Sequence, residues 1–455
     1  MQILVLLPLF FSIYYISKKR LDLAFLNVYL PCTFLVPSYF NIRIPHLPIL
    51  SAGCFALIPI WVAVLMRGEK LKFKRMDLWV GLFLFSFLIS ELFREYSPKD
   101  GMILWMAEVV NVGMAYWVGR QVIEPNLRLE TIKRIVFLFM IQTPFALFEF
   151  RFGQNPWVLI AHNVFGLWDV GWFVQLRGGR ARIATSFSDA ILAGMMFVVA
   201  FALNYYLVQI YKIDQRRLGP KMSLLQKYRL PFFLLPAFVY MTGSRMPEAC
   251  AGLCFLFLQI PRFKTIRTGV ITILLIVVVG GGIAYTGFQR YTSVSDDQVT
   301  DEAQSSAIYR KQLALEYAPI LEEGGWLGYG VLSHPQVIGM GSIDNNYILT
   351  QLSQGKLGLY TFYLIAVESV LTLGLFVFKF QTKESQFLVF SLMGAIVATF
   401  VALYTVYMGE QVPQVLFMII GWAQSLQDTS VFGAGVQAAT GMPEPKFRFR
   451  RVIAS

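Results

Sequence analysis

Long apolar runs separated by short polar connections recur along almost the whole chain, and they restrict it to very few solvents. A helix needs roughly 17 to 25 apolar residues to cross a bilayer, and the sequence holds about 12 or 13 such runs. Composition agrees: of 455 residues, 56% are hydrophobic and 15% charged, a balance too apolar for a water-soluble domain. In hydrocarbon each helix satisfies its own backbone N–H and C=O groups. The expected fold class is therefore all-α, a polytopic membrane helix bundle. Residues 1–428 read as one transmembrane domain, and residues 429–455 as a basic cytoplasmic tail expected to be disordered. The first run, Gln2 to Ile16, precedes Lys18-Lys19-Arg20 instead of following a basic stretch, and so reads as a retained span, not a signal peptide.

The net charge of +12 could suggest nucleic acid, but its placement argues for topology. With the amino terminus outside, about 27 of the 39 Lys and Arg fall on one side of the threaded spans, as the positive-inside rule requires of a cytoplasmic face. No nucleic-acid partner is expected; anionic lipid is. About 12 basic residues remain for the outer face, roughly nine of them Arg, and Arg offers phosphate a planar fork that Lys lacks. The outer face reads as selected for anions.

One long polar interruption, residues 289–345, breaks the apolar pattern and reads as a large outer loop. Within it, Ala307 to Leu321 reads as a helix ended by Gly324-Gly325. Asp344 or Asn345 then caps a new helix beginning Tyr347-Ile348-Leu349. At helical spacing Asp344, Tyr347, Gln351 and Gly355 share a face that reads as a site. The run from Tyr347 to Phe380 is too long for one span, so its first part is expected either to lie along the interface or to break near Gly355 and Gly358.

Two further outer segments carry arginines. Arg177, Arg180 and Arg182 stand just ahead of a span, after the rings of Trp157, Phe165, Trp168 and Trp172, which form an interfacial belt or stack on sugars. Thr242-Gly243-Ser244-Arg245 precedes a helix whose first turn holds Pro247 and Glu248, and the free N–H groups there add to an anion site. A simple Arg245–Glu248 ion pair is the plainer reading. Glu108 and Glu368 lie inside apolar runs, where an acid pairs, protonates or faces a cavity. Cys32, Cys54, Cys250 and Cys254 read as packing residues. Asp296, Asp297, Asp301 and Glu302 read as a solvated loop, so neither metal nor cofactor is expected.

The loops on the basic side are too short for a nucleotide-binding domain, and no P-loop or dinucleotide fingerprint is present. A donor used on the outer face must bring its own activation, and a lipid-linked diphosphate does so. Arg182 ahead of Ser186-Phe187, the TGSR turn, Arg310 in a large outer loop, the turn at Gly328 and Gly330, and the helix start from Asn345 to Leu349 follow in an order that resembles the O-antigen ligase and polymerase superfamily.

That resemblance covers residues 130–400 and implies an integral glycosyltransferase of the bacterial inner membrane. Such an enzyme is multi-pass, and its active site faces the periplasm. It would take glycan from an undecaprenyl-diphosphate-linked oligosaccharide to a glycan acceptor without metal, with a flippase or chain-length regulator as further partners. Ligases of the family carry His before the last-motif Asn, whereas this chain has Asp344, which favours a polymerase of exopolysaccharide or O-antigen repeat units. The expected catalytic residues are Asp344, Arg310 and Arg245. Arg182, Arg180, Arg290, Asn345, Tyr347 and Gln351 are expected to bind substrate. A ligase acting on a lipid or protein acceptor is the alternative within the family. A transporter or flippase coupled through Glu108 and Glu368 is the alternative outside it.

Overall fold

The computed structural model describes residues 2–67, 73–94, 98–167, 173–218, 222–293, 302–379, 382–409 and 411–428. The expectations for Trp168, Trp172, Asp296, Asp297, Asp301 and the 429–455 tail lie outside the described residues, as does the side chain of Glu302. The chain is mostly helical and, among the described residues, has seven helices long and apolar enough to cross a membrane, as in a multi-pass membrane protein.

In chain order the helices are α1 (Leu4–Ser17), α2 (Leu21–Leu35), α3 (Ala52–Met66), α4 (Arg75–Phe93), α5 (Pro98–Val122) and α6 (Arg128–Phe152). The short α7 (Pro156–Asn163) leads to α8 (Ala190–Leu218), α9 (Met222–Met241), α10 (Arg245–Gln259) and α11 (Ile266–Tyr291). The series closes with α12 (Glu302–Gly324), α13 (Asn346–Lys379), α14 (Lys383–Ala402) and α15 (Val412–Ser425). Two antiparallel ribbons qualify the all-α expectation: β1 (Asn41–Ile42) with β2 (Leu50–Ser51), and β3 (Leu176–Arg177) with β4 (Arg180–Ala181). The second falls in the outer segment of Arg177, Arg180 and Arg182, for which no strand was expected. The basic stretch from Lys212 to Arg229 is largely helical, because α8 runs on to Leu218 and α9 starts at Met222.

Burial is uneven. The apolar stretch of α8 is 94% buried and that of α14 is 89%, so these two form the centre of the bundle. By contrast, α11 is 11% buried and stands almost clear of the other described helices. Buried charges are paired at one end of the bundle, as low dielectric demands. Asp77 accepts from Tyr116 Oη at 2.5 Å and from the Arg120 guanidinium, while Lys74 Nζ reaches the Gln424 carbonyl at 2.5 Å. Glu368 pairs with Arg75 at 3.2 Å. Among the described residues no hydrogen bond or ion pair reaches Glu108.

The long run after Asn345 does break where a glycine was expected to break it. Gly355 adopts φ 67°, ψ −167° inside α13, and the turn after α12 fills the gap in the helix hydrogen bonds. Tyr329 N donates to Leu352 O at 2.7 Å, Gly330 N to Ser353 O at 3.0 Å, and Lys356 N to Gly325 O at 3.0 Å. The two segments meet so closely that a Cβ on Gly355 would sit 2.4 Å from the Trp326 carbonyl oxygen, and one on Gly328 would sit 2.5 Å from Gly355 N. The G-x-G turn thus serves as backbone partner to a broken helix. From α4, Ser86 donates to Gln354 Oε1 at 2.9 Å, Ser90 to Ser353 O, and buried Glu91 accepts Val331 N at 2.8 Å.

Candidate functional site

Three segments far apart in sequence converge on one face of the bundle: the β3–β4 ribbon with its exit loop, the turn before α10, and α12 with the start of α13. The turn supplies carbonyls to arginines. Arg182, buried at 8% exposure, donates from Nε to Thr242 O at 3.1 Å, from Nη2 to Ser244 Oγ at 2.7 Å and from Nη1 to Gln175 Oε1. Arg177 Nη1 donates to Gly243 O at 2.8 Å. Gly243 lies at φ +59°, and a Cβ there would press on Arg182 Cγ at 3.3 Å, so the turn needs glycine for both conformation and space. The TGSR motif is in this sense a seat for Arg182.

The loop leaving Arg182 is shaped by a carboxylate from α6. Fully buried Glu149 accepts Ala184 N at 3.0 Å, Thr185 N at 2.8 Å and Asn155 Nδ2 at 2.9 Å. Asn155 in turn caps α7 and donates to Thr185 O at 2.9 Å. Thr185 is held at φ +52°, a conformation unfavourable for a β-branched residue unless its surroundings fix it. Ser186 donates to Phe34 O at 2.6 Å, and Gln411 bridges Val36 O and Ser186 O at 3.1 and 3.2 Å. Asp189 ends the loop by capping α8, accepting Ile191 N at 2.6 Å and Leu192 N at 3.2 Å.

The third segment brings Arg310 and Asp344. Asn345, not Asp344, caps α13: its Oδ1 accepts Tyr347 N at 2.9 Å and Ile348 N at 3.2 Å. Asp344 is thereby left half-buried with one oxygen accepting from Ser342 Oγ. Arg310, also half-buried, makes one long bond from Nη1 to Ser306 O at 3.5 Å, and its buried Nε has no partner among the described residues.

Electrostatics tie the three segments together. Burial lowers the proton affinity of Arg310, Asp344 raises it, and Arg177 lowers it again. Burial likewise lowers Arg182, with Asp189 opposing and with Arg177 and Arg310 adding to the effect. Asp189 is pushed above the usual carboxylate range by burial, held back by its two N–H bonds and Arg182, and raised further by Asp344. Three arginines therefore share one field with two carboxylates, and the excess is positive. Guanidiniums stay charged under any ordinary condition, so the buried charge of Arg182 and Arg310 is eased by a nearby anion.

Of the residues singled out from sequence, Arg182, Arg310 and Asp344 meet here. Arg180 is exposed at the edge, donating to Tyr240 Oη at 3.0 Å, and Arg245 is exposed at the first position of α10. The Arg245 and Arg177 charges both act on Glu248. Arg290 sits exposed in the last turn of α11, with no hydrogen bond or ion pair to the cluster among the described residues. The face expected from Tyr347 and Gln351 is used for packing: Tyr347 Oη donates to Phe400 O at 2.6 Å, and Gln351 Nε2 to Leu321 O at 3.4 Å. Asp189, Glu149 and Ser342 are additions that sequence reading passed over. Asp189 alone had a local signal, an acid directly before an apolar run. No family model and no curated protein sequence matches the chain.

Proposed function

We propose that the chain is a membrane glycan polymerase of the O-antigen ligase and polymerase type, joining undecaprenyl-diphosphate-linked repeat units on the periplasmic face of the bacterial inner membrane. The observation that carries this reading is Arg310: a half-buried guanidinium with a free Nε and one weak bond, beside Asp344 and in the field of Arg177 and Arg182. A diphosphate meets the positive excess, and a hydroxyl meets the carboxylate.

In this reading an acceptor hydroxyl attacks the anomeric carbon of the donor and passes its proton to Asp344, whose other oxygen Ser342 holds in place. The bond from that carbon to the diphosphate breaks, and its electron pair leaves on the phosphate oxygen. Arg310 and Arg177 meet the growing charge. Arg182, with three of its N–H groups engaged by the protein, supports the field and fixes the turn. The threading of 12 or 13 spans, the periplasmic orientation of the 289–345 loop and the absence of a metal requirement belong to the same proposal. Purified protein in lipid, given undecaprenyl-diphosphate oligosaccharide alone, is expected to make longer lipid-linked products. No product until a separate acceptor is added means ligase, and no product with either overturns glycosyl transfer.

A further inference from the structure

A second feature on the same face lies outside the arginine cluster. Between α1, α2, the β1 segment and the end of α7 there is a cavity of about 980 Å³, at the upper end of the volumes typical of ligand sites. Its lining is mainly apolar, including Phe11, Phe40, Trp157 and Phe165, and takes in the exposed side chains of Leu4 and Leu7 on α1. In a membrane chain a mainly apolar cavity lined in part by exposed apolar side chains admits hydrocarbon. The rim supplies Arg43, exposed and without a hydrogen bond or ion pair among the described residues. None of the cluster residues Arg177, Arg182, Arg310, Asp189 and Asp344 lines it.

We propose that this cavity binds an anionic bilayer phospholipid, its chains between α1 and α7 and its phosphate on Arg43. The charge at the rim decides the occupant. An anionic phosphodiester lipid carries one net negative charge that one cation matches, whereas the ammonium of a zwitterionic headgroup already offsets its own phosphate and is repelled by Arg43, and a diphosphate is matched by a cluster such as Arg177, Arg182 and Arg310. The lipid also has a structural consequence. Trp157, which lines the cavity, stacks on Phe145 at 5.4 Å and belongs to the helix capped by Asn155, whose side chain holds Thr185 and Glu149. A filled cavity steadies α7 and, through Asn155, the loop that carries Arg182 to Asp189. The inference does not depend on the glycosyl-transfer reading.

Native mass spectrometry of the full chain, released from detergent after exchange with defined lipids, tests it. Wild type is expected to retain one phosphatidylglycerol in preference to phosphatidylethanolamine. Arg43→Ala should lower that retention about fivefold, the scale of one basic residue at a membrane surface, and Arg43→Lys should keep most of it. Cys32→Phe, which narrows the cavity from α2, should lower retention of both lipids while eluting as wild type. Equal retention of the two lipids by wild type, or unchanged retention in Arg43→Ala, overturns the proposal. So does replacement of the bound phosphatidylglycerol by one undecaprenyl phosphate that wild type retains and Cys32→Phe does not, which would make the cavity a donor site.

Discussion

Glu149 accepts the backbone N–H of Thr185 at 2.8 Å, so a carboxylate from inside the bundle fixes a left-handed residue three positions after Arg182. Its other oxygen takes Asn155 Nδ2, and no position on the carboxylate is suited to a donor. Glu149→Gln preserves shape but turns an NH₂ towards one of these N–H groups. The expected cost is about 1 to 3 kcal/mol, that of a buried polar group without its partner. Thermal unfolding in detergent should show the midpoint falling, and polymer output should fall at equal membrane abundance. An unchanged midpoint contradicts the account of the loop.

The arginines should separate by role. Arg310→Lys keeps charge and loses the fork, so donor binding should persist while turnover drops by roughly 10² to 10³, as when one oxyanion donor is removed. Asp344→Asn keeps shape and cannot take a proton, so it too should bind donor and fail to extend it. Because Asn345 supplies the helix cap, Asp344→Asn should leave the unfolding midpoint near wild type. Turnover near wild type in both variants removes the proposed active site.

Asp189 gives the cluster a pH signature. Its folded proton affinity lies above the ordinary carboxylate value, so the folded state holds that proton more tightly than the unfolded chain and folding is favoured less as pH rises. The loss begins near pH 4, the unperturbed value, and is complete once pH passes the raised one. Asn at this position still caps α8. The stability of wild type relative to Asp189→Asn should therefore decline across that window and level off above it. A rising difference would mean that the Arg182 charge outweighs burial.

Gly355 allows the interlock between α13 and the turn after α12. Gly355→Ala meets both a positive φ and the Trp326 carbonyl, and the backbone conformation alone costs about 1 to 3 kcal/mol. Protease treatment of the purified variant should cut the 325–330 turn faster than in wild type. Equal cleavage rates would show that the break tolerates a side chain.

Orientation is open to a direct check. Ser305 is exposed on α12, so Ser305→Cys should react with an impermeant thiol reagent in intact spheroplasts. Reaction only after lysis would reverse the topology and remove the lipid-linked donor with it.

What was legible in the sequence was local. Asn345 ahead of an apolar run announces a helix start, and a glycine inside a run too long for one span announces a break; both features are present. Glu149 could not be read because its partners, Ala184 and Thr185, lie on a loop that only the fold brings to α6. The G-x-G turn looked like a site motif because its true partner, the backbone around Gly355, is invisible to spacing. Tyr347 and Gln351 misled for the opposite reason: a shared helix face says which side chains point together, not whether water or protein lies opposite.

The isolation of α11 among the described helices couples the position of its last turn to the lipid composition around it. A helix of 26 residues spans roughly 39 Å at 1.5 Å per residue, against a hydrocarbon thickness of about 30 Å. With so little of it buried, neighbours do not set its lean; the bilayer does. A thin membrane lays the helix over and a thick one stands it up, and each change moves Arg290, in its last turn, relative to the buried helices. If the proposed glycosyl transfer takes place beside Arg310, its rate should follow the acyl-chain length of the host membrane, and reconstitution into a series of lipids of increasing length becomes a way to tune it.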